Sequence, residues 1–206
     1  VKADGSGEIH NLTNSGYSDQ NPKWMMNGKA IIWSTDRQGM RSHGSWGAQY
    51  DIYALFLDPE AWDEFRMNKE ELALHKEIKE LQKRKEAEEK AKAEKKQENK
   101  ADKAGKKGKK EEGDKKDEGE KEGKKAKAEE NKLPELKIDF ENLEDRMVRL
   151  TIHSSRLGDA VLTNDASKLY YLSAFEGGYD LWVRDFKNGS TRMLSKLNKG
   201  GGALVM

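Results

Sequence analysis

The sequence contains no cysteine and no long run of apolar residues. Without cysteine, both a disulfide framework and a thiolate metal site are excluded. No run approaches the roughly 18 consecutive apolar residues that a membrane-spanning helix needs, so we expect no insertion into a membrane. The chain also lacks a starting methionine and a secretory signal pattern. Because it begins inside a predicted loop and stops inside a predicted strand, we expect it to be a piece of a longer protein.

An excess of charge of one sign is also lacking, since 39 Lys and Arg residues balance 38 Asp and Glu residues. Residues 69–132 contain 23 basic and 19 acidic residues, and the remainder of the chain contains 16 and 19. Neither part has the basic excess that predicts a nucleic-acid partner. Residues 69–132 also lack the aromatic residues that stack on bases or anchor a helix to a lipid surface. We therefore expect a solvated polyampholyte inserted into an ordinary domain.

What the sequence does contain is a hairpin pattern that occurs twice. Residues 22–26 form a short apolar run, Asn27-Gly28 is a two-residue turn signal, and residues 30–33 supply a β-rich run. Residues 159–173 repeat the same order of run, turn and run. Matching flanks follow the two hairpins, Asp-Ile-Tyr from Asp51 and Asp-Leu-Trp from Asp180. A repeated multi-strand unit is typical of repeat architectures.

Further strand patterns complete two units of four strands each. Residues 50–57 read as a third strand that is buried on both faces, and residues 136–140 with 146–151 supply the fourth. The second unit has its strands at residues 159–162, 168–174, 179–185 and 191–195. Four short antiparallel strands per repeat describe a β-propeller blade, and a closed ring needs about four to eight blades. We therefore predict an all-β fold: a fragment of a β-propeller, with about two four-stranded antiparallel blades plus flanking strands.

The hydrophobic period changes at Asp58-Pro59, where an N-cap and a proline at the first helical position predict a helix. Trp62 and Phe65 lie three residues apart and can pack back onto the sheet. Asn68 with Glu71 resembles a capping box for a second helix, which strong helix formers extend to about Lys100. The glycine-interrupted Lys/Glu run that follows cannot bury enough surface to offset its ordering entropy, so we predict that it is disordered.

These patterns divide the chain into three regions. Residues 1–58 contain the end of one blade, at residues 8–13, and the first three strands of the next. Residues 59–135 form the charged insertion, helical at first and then disordered. Residues 136–206 contain the last strand of the interrupted blade, a second full blade and, at residues 203–206, the start of a third.

The first hairpin resembles the propeller repeat that TolB shares with the tricorn proteases. The residues concerned are Asn-Pro-Lys-Trp from Asn21, Asn-Gly-Lys-Ala-Ile-Ile-Trp-Ser-Thr-Asp-Arg from Asn27, and the later Asp-Ile-Tyr. Phe-Leu-Asp from Phe56, Asp-Glu-Phe-Arg from Asp63, Ile-Asp-Phe-Glu from Ile138 and Arg-Met-Val-Arg-Leu-Thr from Arg146 resemble the tricorn-type peptidases more closely. The resemblance covers both blades and the edges of the insertion, but not the polyampholyte.

The resemblance implies a large serine peptidase whose propeller region gates or guides peptides or unfolded polypeptides to a separate catalytic domain. No catalytic residue of that family maps onto these positions, and no metal or cofactor is expected here. The implied partners are substrates, other domains of the same chain and further copies of the protein, in a periplasmic or cell-envelope location rather than the cytoplasm. The alternatives are a TolB-like propeller acting as a protein–protein interaction module, and the propeller of a prolyl-oligopeptidase-type enzyme.

Two polar patterns could carry chemistry, and a structural role is favoured for each. His153-Ser154-Ser155 places a base beside hydroxyl groups, but neighbours in sequence seldom meet in the geometry of a catalytic triad. We predict a polar turn between blades at this position. Asp36-Arg37, and Asp139 with Arg146, could recognise peptide termini or carboxylates, although ion pairs within the blades are the favoured interpretation.

The histidines, the aromatic residues and one loop were also considered as binding elements. The four histidines are too scattered to predict a metal site: His10, His43, His75 and His153. Six aromatic residues could line a channel, although packing between blades is favoured: Trp24, Trp33, Tyr53, Tyr170, Tyr171 and Trp182. The Gly- and Ser-rich residues 38–49 could shape a binding rim, and a solvated hairpin loop is the favoured interpretation.

Overall fold

A computed structural model describes residues 6–7, 9–43, 47–104 and 138–205, without the side chains of residues 90–104. The chain divides into two compact units, Val1–Lys69 with Leu136–Met206 and, separately, Glu70–Glu135. The strands and helix described in the first unit are β1 (Asp19–Met25), β2 (Ala30–Thr35), β3 (Asp51–Phe56), α1 (Pro59–Arg66), β4 (Met147–Arg149), β5 (Arg156–Leu162), β6 (Lys168–Ala174), β7 (Tyr179–Asp185) and β8 (Ser190–Lys199).

The eight strands form two antiparallel sheets of four strands each. Their orders are β1-β2-β3-β4 and β5-β6-β7-β8, so within each sheet consecutive strands pair with one another. We call them the first sheet and the second sheet. The prediction of a mostly β fold with two four-stranded antiparallel sheets is confirmed.

The third strand explains how the first sheet obtains a core on both of its faces. All six residues of β3 are buried. Ile52, Ala54 and Phe56 belong to a core that also draws residues from the second sheet. Tyr53 and Leu55, on the opposite face, belong to a separate cluster. Alternation with a period of two produces this division, as the sequence predicted.

The first hairpin forms as predicted, but its turn is longer than the Asn-Gly signal indicates. Met25 pairs with Ala30, so four residues connect β1 and β2. Met26 and Asn27 both have a φ of 55°, and Gly28 has a φ of 89°. Asn and Gly adopt this left-handed region readily, whereas Met does not. The Met26 side chain is only 6% exposed within the core shared by the two sheets, and this burial offsets the backbone cost.

Helix α1 starts where the sequence predicted. The Asp58 carboxylate accepts a hydrogen bond from the Glu60 backbone N–H at 2.9 Å, and Pro59 occupies the first helical position. The rings of Trp62 and Phe65 lie 5.4 Å and 4.9 Å from the ring of Phe56, centroid to centroid. The helix therefore packs back onto β3 through an aromatic cluster.

A lysine from the second sheet caps the other end of α1. Lys187 lies in the turn between β7 and β8, and its Nζ donates to the carbonyl oxygens of Glu64, Phe65 and Met67 at 2.8 Å, 3.0 Å and 2.7 Å. The last carbonyls of a helix generally lack donors from within the helix, and the negative end of the helix dipole favours a cation there.

Helix α2 (Lys69–Ala104) begins directly after Asn68 as predicted, and all of it beyond Lys69 belongs to the second unit. Its apolar side chains Leu74, Ile78 and Leu81 are exposed. The predicted disorder beyond α2 lies outside the described residues. Among the helices that the structure describes, none has both the length and the apolar character needed to cross a membrane.

Three predicted strands are wrong over the residues that the structure describes: residues 9–13, 138–140 and 203–205. In or directly beside each segment, a side chain forms a hydrogen bond with a backbone group that a sheet ladder would use. The Asn11 side chain accepts from the Asn14 N–H at 3.0 Å, and the Asp159 carboxylate accepts from the Leu204 N–H at 2.7 Å. Near residue 139, the chain curls around the guanidinium of Arg146 instead of extending, which leaves β4 only three residues long.

Candidate functional site

An open cavity of about 930 Å³ lies beside the first sheet. Its wall consists of the segment 11–17 before β1, of Arg37 just after β2, and of most of residues 140–147 before β4. All three segments belong to the first compact unit. Of the sequence candidates, Arg37 lines this cavity, whereas Asp36, Asp139 and Arg146 are not among its lining residues.

Local hydrogen bonds hold the segment that forms the first wall. The Ser15 hydroxyl donates to Asp19 Oδ2 at 2.8 Å, and the Ser18 N–H donates to Asp36 Oδ1 at 2.9 Å. Burial by itself raises the pKa of Asp19, but hydrogen bonds from neighbouring side chains, among them those of Ser15 and Trp33, more than offset it and hold that pKa below its ordinary value. Asp36 is buried and therefore positions this segment rather than facing the cavity.

Arg37 is the charged group that the cavity presents from the strand side. Its guanidinium carbon lies 5.4 Å from the ring centroids of both Tyr17 and Tyr53. Its Nη1 donates to Met147 Sδ at 3.4 Å, and its Nε is buried without a hydrogen-bond partner among the described residues. Burial raises the pKa of Tyr53, and the positive charges of Arg37 and Arg149 only partly counteract this rise.

Arg146 shapes the cavity instead of lining it. Its guanidinium is buried and donates to the carbonyl oxygens of Leu57, Asp139 and Glu141 at 3.1 Å, 2.7 Å and 2.6 Å. Asp139 Oδ2 lies 3.7 Å from Arg146 Nη2 and forms a weaker ion pair with it. Because its donors are occupied by the protein's own backbone, Arg146 folds the wall formed by residues 140–147.

The hydroxyl groups of Ser154 and Ser155 are engaged in the junction between the two sheets. Ser154 Oγ donates to Asp51 Oδ2 at 2.8 Å, and Ser155 Oγ lies 2.6 Å from Ser173 Oγ. The backbones of Ser155 and Tyr50 exchange two hydrogen bonds, at 2.7 Å and 3.1 Å. His153 is exposed. The segment therefore holds the junction and presents no triad geometry.

Asp51 is a residue whose importance sequence reasoning missed. It is fully buried and accepts from Arg149 Nη2 and Thr151 Oγ1, both at 2.7 Å. A sequence signal existed, because Asp180 follows the second hairpin at the matching position. Asp180 Oδ1 accepts from the backbone N–H groups of Leu197 and Asn198 at 2.7 Å and 2.9 Å. In both sheets, the repeated aspartate therefore binds residues in the fourth strand or directly after it.

The predicted aromatic set separates into different environments. Trp33 and Tyr53 are buried in the cluster on the far face of the first sheet, and Tyr171 lies in the core shared by both sheets. Trp24 is 60% exposed. Two aromatic residues at the cavity were not singled out from the sequence, namely Tyr17 and Phe140, whose ring stacks on His10 at 4.1 Å. Only the fold shows that both line the cavity and that Tyr17 approaches Arg37.

Comparison of the chain with protein-family models, with curated proteins and with solved structures finds no match. A functional interpretation therefore depends on the residues and geometry described above.

Proposed function

We propose that this chain is a non-catalytic β-propeller segment of a tricorn-like serine peptidase, and that it guides peptides or unfolded polypeptides to a catalytic domain elsewhere in the protein. The observation that carries the proposal is the open cavity beside the first sheet, which is lined by polar loops and contains Arg37. An open polar cleft is suited to an extended chain, whose amide groups need hydrogen-bond partners.

The arrangement of the two sheets supports the propeller part of the proposal. Both have the same strand order, and one core draws residues from both. Polar contacts add to this core, since Lys23 of β1 forms an ion pair with Asp159 of β5 and Arg184 Nη1 donates to the Leu150 carbonyl at 2.8 Å. Successive blades of a propeller stack in this way, sheet beside sheet.

Apolar surface on the outer strands and faces also fits a propeller. On the first sheet, Trp24 is exposed, and a mostly apolar groove of about 230 Å³ is lined by Pro22, Ile31 and Leu55 among others. On the second sheet, β8 exposes Met193, Leu194 and Leu197. Further blades on either side would cover such surface and remove it from water.

We propose that this chain is part of a longer protein, and the peptidase activity of that protein tests the function. We expect that protein to cleave an unfolded polypeptide and to react with a fluorophosphonate serine probe. We expect the 206-residue chain alone to do neither, yet to bind the polypeptide. An inert and unlabelled longer protein would remove the peptidase assignment and favour the interaction-module alternative.

A matched pair of variants tests whether the cavity serves this function. Glu144 is an exposed residue in the cavity wall, and Glu176 is an exposed residue in the turn between β6 and β7. Glu144→Trp should fill part of the cavity and weaken polypeptide binding by about tenfold, or about 1.4 kcal/mol. Glu176→Trp should leave binding unchanged. Equal effects of the two substitutions would contradict a role for the cavity.

A further inference from the structure

Arg37 belongs to a stack of four side chains at the mouth of the cavity. The guanidinium carbon of Arg41 lies 5.1 Å from the Tyr17 ring centroid, and that of Arg37 lies 5.4 Å from the same ring. Arg37 also lies 5.4 Å from the Tyr53 ring. Two cations thus share one aromatic ring, in a stack that runs from exposed Arg41 to buried Tyr53.

The positive charge of this stack is not neutralised by the described part of the chain. Neither Arg37 nor Arg41 forms an ion pair with a described carboxylate. Two acids close to the stack in sequence do not pair with it, since Asp36 accepts from the Ser18 N–H and Asp51 forms its ion pair with Arg149. Contacts with aromatic rings stabilise a guanidinium only in part, and a half-buried cation without an anion remains costly.

The hydrogen-bonding groups of Arg37 are also incompletely used. Its Nε is buried without an acceptor among the described residues, and Nη1 has only the thioether sulfur of Met147, a weak acceptor. A carboxylate is the usual partner of an arginine guanidinium, and it would supply both the missing charge and a stronger acceptor than the thioether.

The other charges of the cavity limit the kind of anion that fits. Glu144 and Asp145 line the same cavity, and their carboxylates disfavour a ligand with several negative charges. These two carboxylates in the wall that contains Arg37 argue against a polyphosphate. A single carboxylate within an otherwise neutral or cationic chain can pair with Arg37 and adds little repulsion from Glu144 and Asp145.

We propose that Arg37, supported through Tyr17 by Arg41, binds a carboxylate group of a polypeptide in this cavity. The inference rests on the proposed function and adds a specificity to it, a preference for chains that carry a carboxylate at the bound position. The carboxylate can come from an acidic side chain or from the carboxyl terminus, and the experiment separates these two sources.

Three fluorescent nine-residue peptides, titrated against the 206-residue chain by anisotropy, provide the test. The first has a central Glu and an amidated carboxyl terminus, the second replaces that Glu by Gln, and the third combines the central Gln with a free carboxyl terminus. We expect at least one carboxylate-bearing peptide to bind about tenfold more tightly than the neutral peptide. Tighter binding of the first peptide identifies a side-chain carboxylate, and tighter binding of the third identifies the terminus.

Variants connect the preference to Arg37. Arg37→Gln should abolish the difference between charged and neutral peptides, and Arg37→Lys, which keeps the charge but loses the planar fork, should reduce it. Arg156→Gln, at an exposed arginine with one bond to the Gly177 carbonyl, should preserve it. Urea unfolding of each variant establishes that it is folded at the assay temperature.

The outcomes separate this inference from the proposed function. If the unsubstituted chain binds all three peptides equally, the carboxylate site is overturned while polypeptide binding stands. If the preference persists in Arg37→Gln, the role of Arg37 is overturned. If no peptide and no unfolded polypeptide binds, the proposed function fails and the inference fails with it.

Discussion

The two sheets of the first compact unit differ most in how their third and fourth strands are connected. In the second sheet, residues 186–189 join β7 to β8, whereas residues 57–146 lie between β3 and β4 in the first. Both pairs of strands are nevertheless antiparallel neighbours. The entropic cost of closing a loop grows only with the logarithm of its length. A blade-like sheet can therefore accept a long insertion if other contacts hold its fourth strand in place.

The contacts that close the two connections differ accordingly. In the short connection, the Asp185 carboxylate accepts from the backbone N–H groups of Lys187 and Asn188, both at 3.0 Å, so the turn is closed locally. In the long connection, Arg146 and Asp51 bind groups that are remote in sequence. In the first sheet, buried charged side chains thus hold the fourth strand in place, whereas in the second sheet hydrogen bonds within a short turn do so. The predictions below test this difference, starting with the largest expected effect.

Removal of the matching aspartates should affect the two sheets unequally. Asp51→Ala leaves Arg149 without its buried anion and Thr151 and Ser154 without an acceptor, so we expect a loss of about 3 kcal/mol in the free energy of unfolding. Asp180→Ala removes two hydrogen bonds from a partly exposed site and should cost about 1 kcal/mol. Urea unfolding measures both values. Equal losses would contradict the distinction between the sheets.

Arg146→Met should destabilise the closure of the long connection. The substitution keeps apolar volume but deprives three backbone carbonyls of their donor, and we expect a loss of about 2 kcal/mol. Arg156→Met, at an exposed site of the second sheet, should stay within about 0.5 kcal/mol of the unsubstituted chain. A loss as small for Arg146→Met as for Arg156→Met would mean that the insertion is closed in another way.

Lys187→Met should loosen the contact between the second sheet and α1. The loss of an ammonium group that caps three carbonyls at a helix C-terminus should cost about 1 kcal/mol. Hydrogen exchange of the amides at the end of α1 should accelerate, while exchange in β6 stays unchanged. Lys196→Met, on exposed strand β8, is the matched control. Unchanged exchange in α1 would show that this cap does not hold the helix.

The ion pair between the sheets predicts a dependence of stability on pH. Burial alone would raise the pKa of Asp159, but hydrogen bonds from Lys23 and from the backbone N–H groups of Leu204 and Ala160 bring it below its ordinary value. A lowered pKa stabilises the fold above about pH 4, and this contribution is lost as the pH falls further. Asp159→Asn should therefore be less stable by about 1 kcal/mol at pH 7. The gap should narrow below pH 4, and a gap that is constant with pH would refute the assignment.

The sequence was most informative where local pattern and tertiary burial agree. The alternation along β3 predicted both of its buried faces, and Asp58-Pro59 predicted the start of α1. It was least informative where a distant group decides the conformation. Residues 138–140 alternate like a strand, but the Arg146 guanidinium binds the Asp139 carbonyl and the chain curls around it. The left-handed backbone of Met26 likewise depends on a core that only the folded chain provides.

The candidate site was predictable only in part for the same reason. From the sequence, Asp36-Arg37 could be singled out as charged residues able to recognise a carboxylate, although ion pairs within the blades were favoured. The partners of Arg37 come from separate segments, Tyr17 before β1 and Met147 in β4, which no local pattern connects. The folded chain also gives the two members of the motif different roles, since Asp36 holds a loop and Arg37 faces the cavity.

Photo-crosslinking tests most directly whether this chain receives a polypeptide at the cavity beside Arg37. A benzoylphenylalanine placed at position 144, in the cavity wall, is compared with one at position 176, in the second sheet, during incubation with an unfolded polypeptide. We expect crosslinks from position 144 that excess unlabelled polypeptide abolishes, and none above background from position 176. Equal crosslinking at both positions, or crosslinking at position 176 alone, would contradict the proposed role of the cavity.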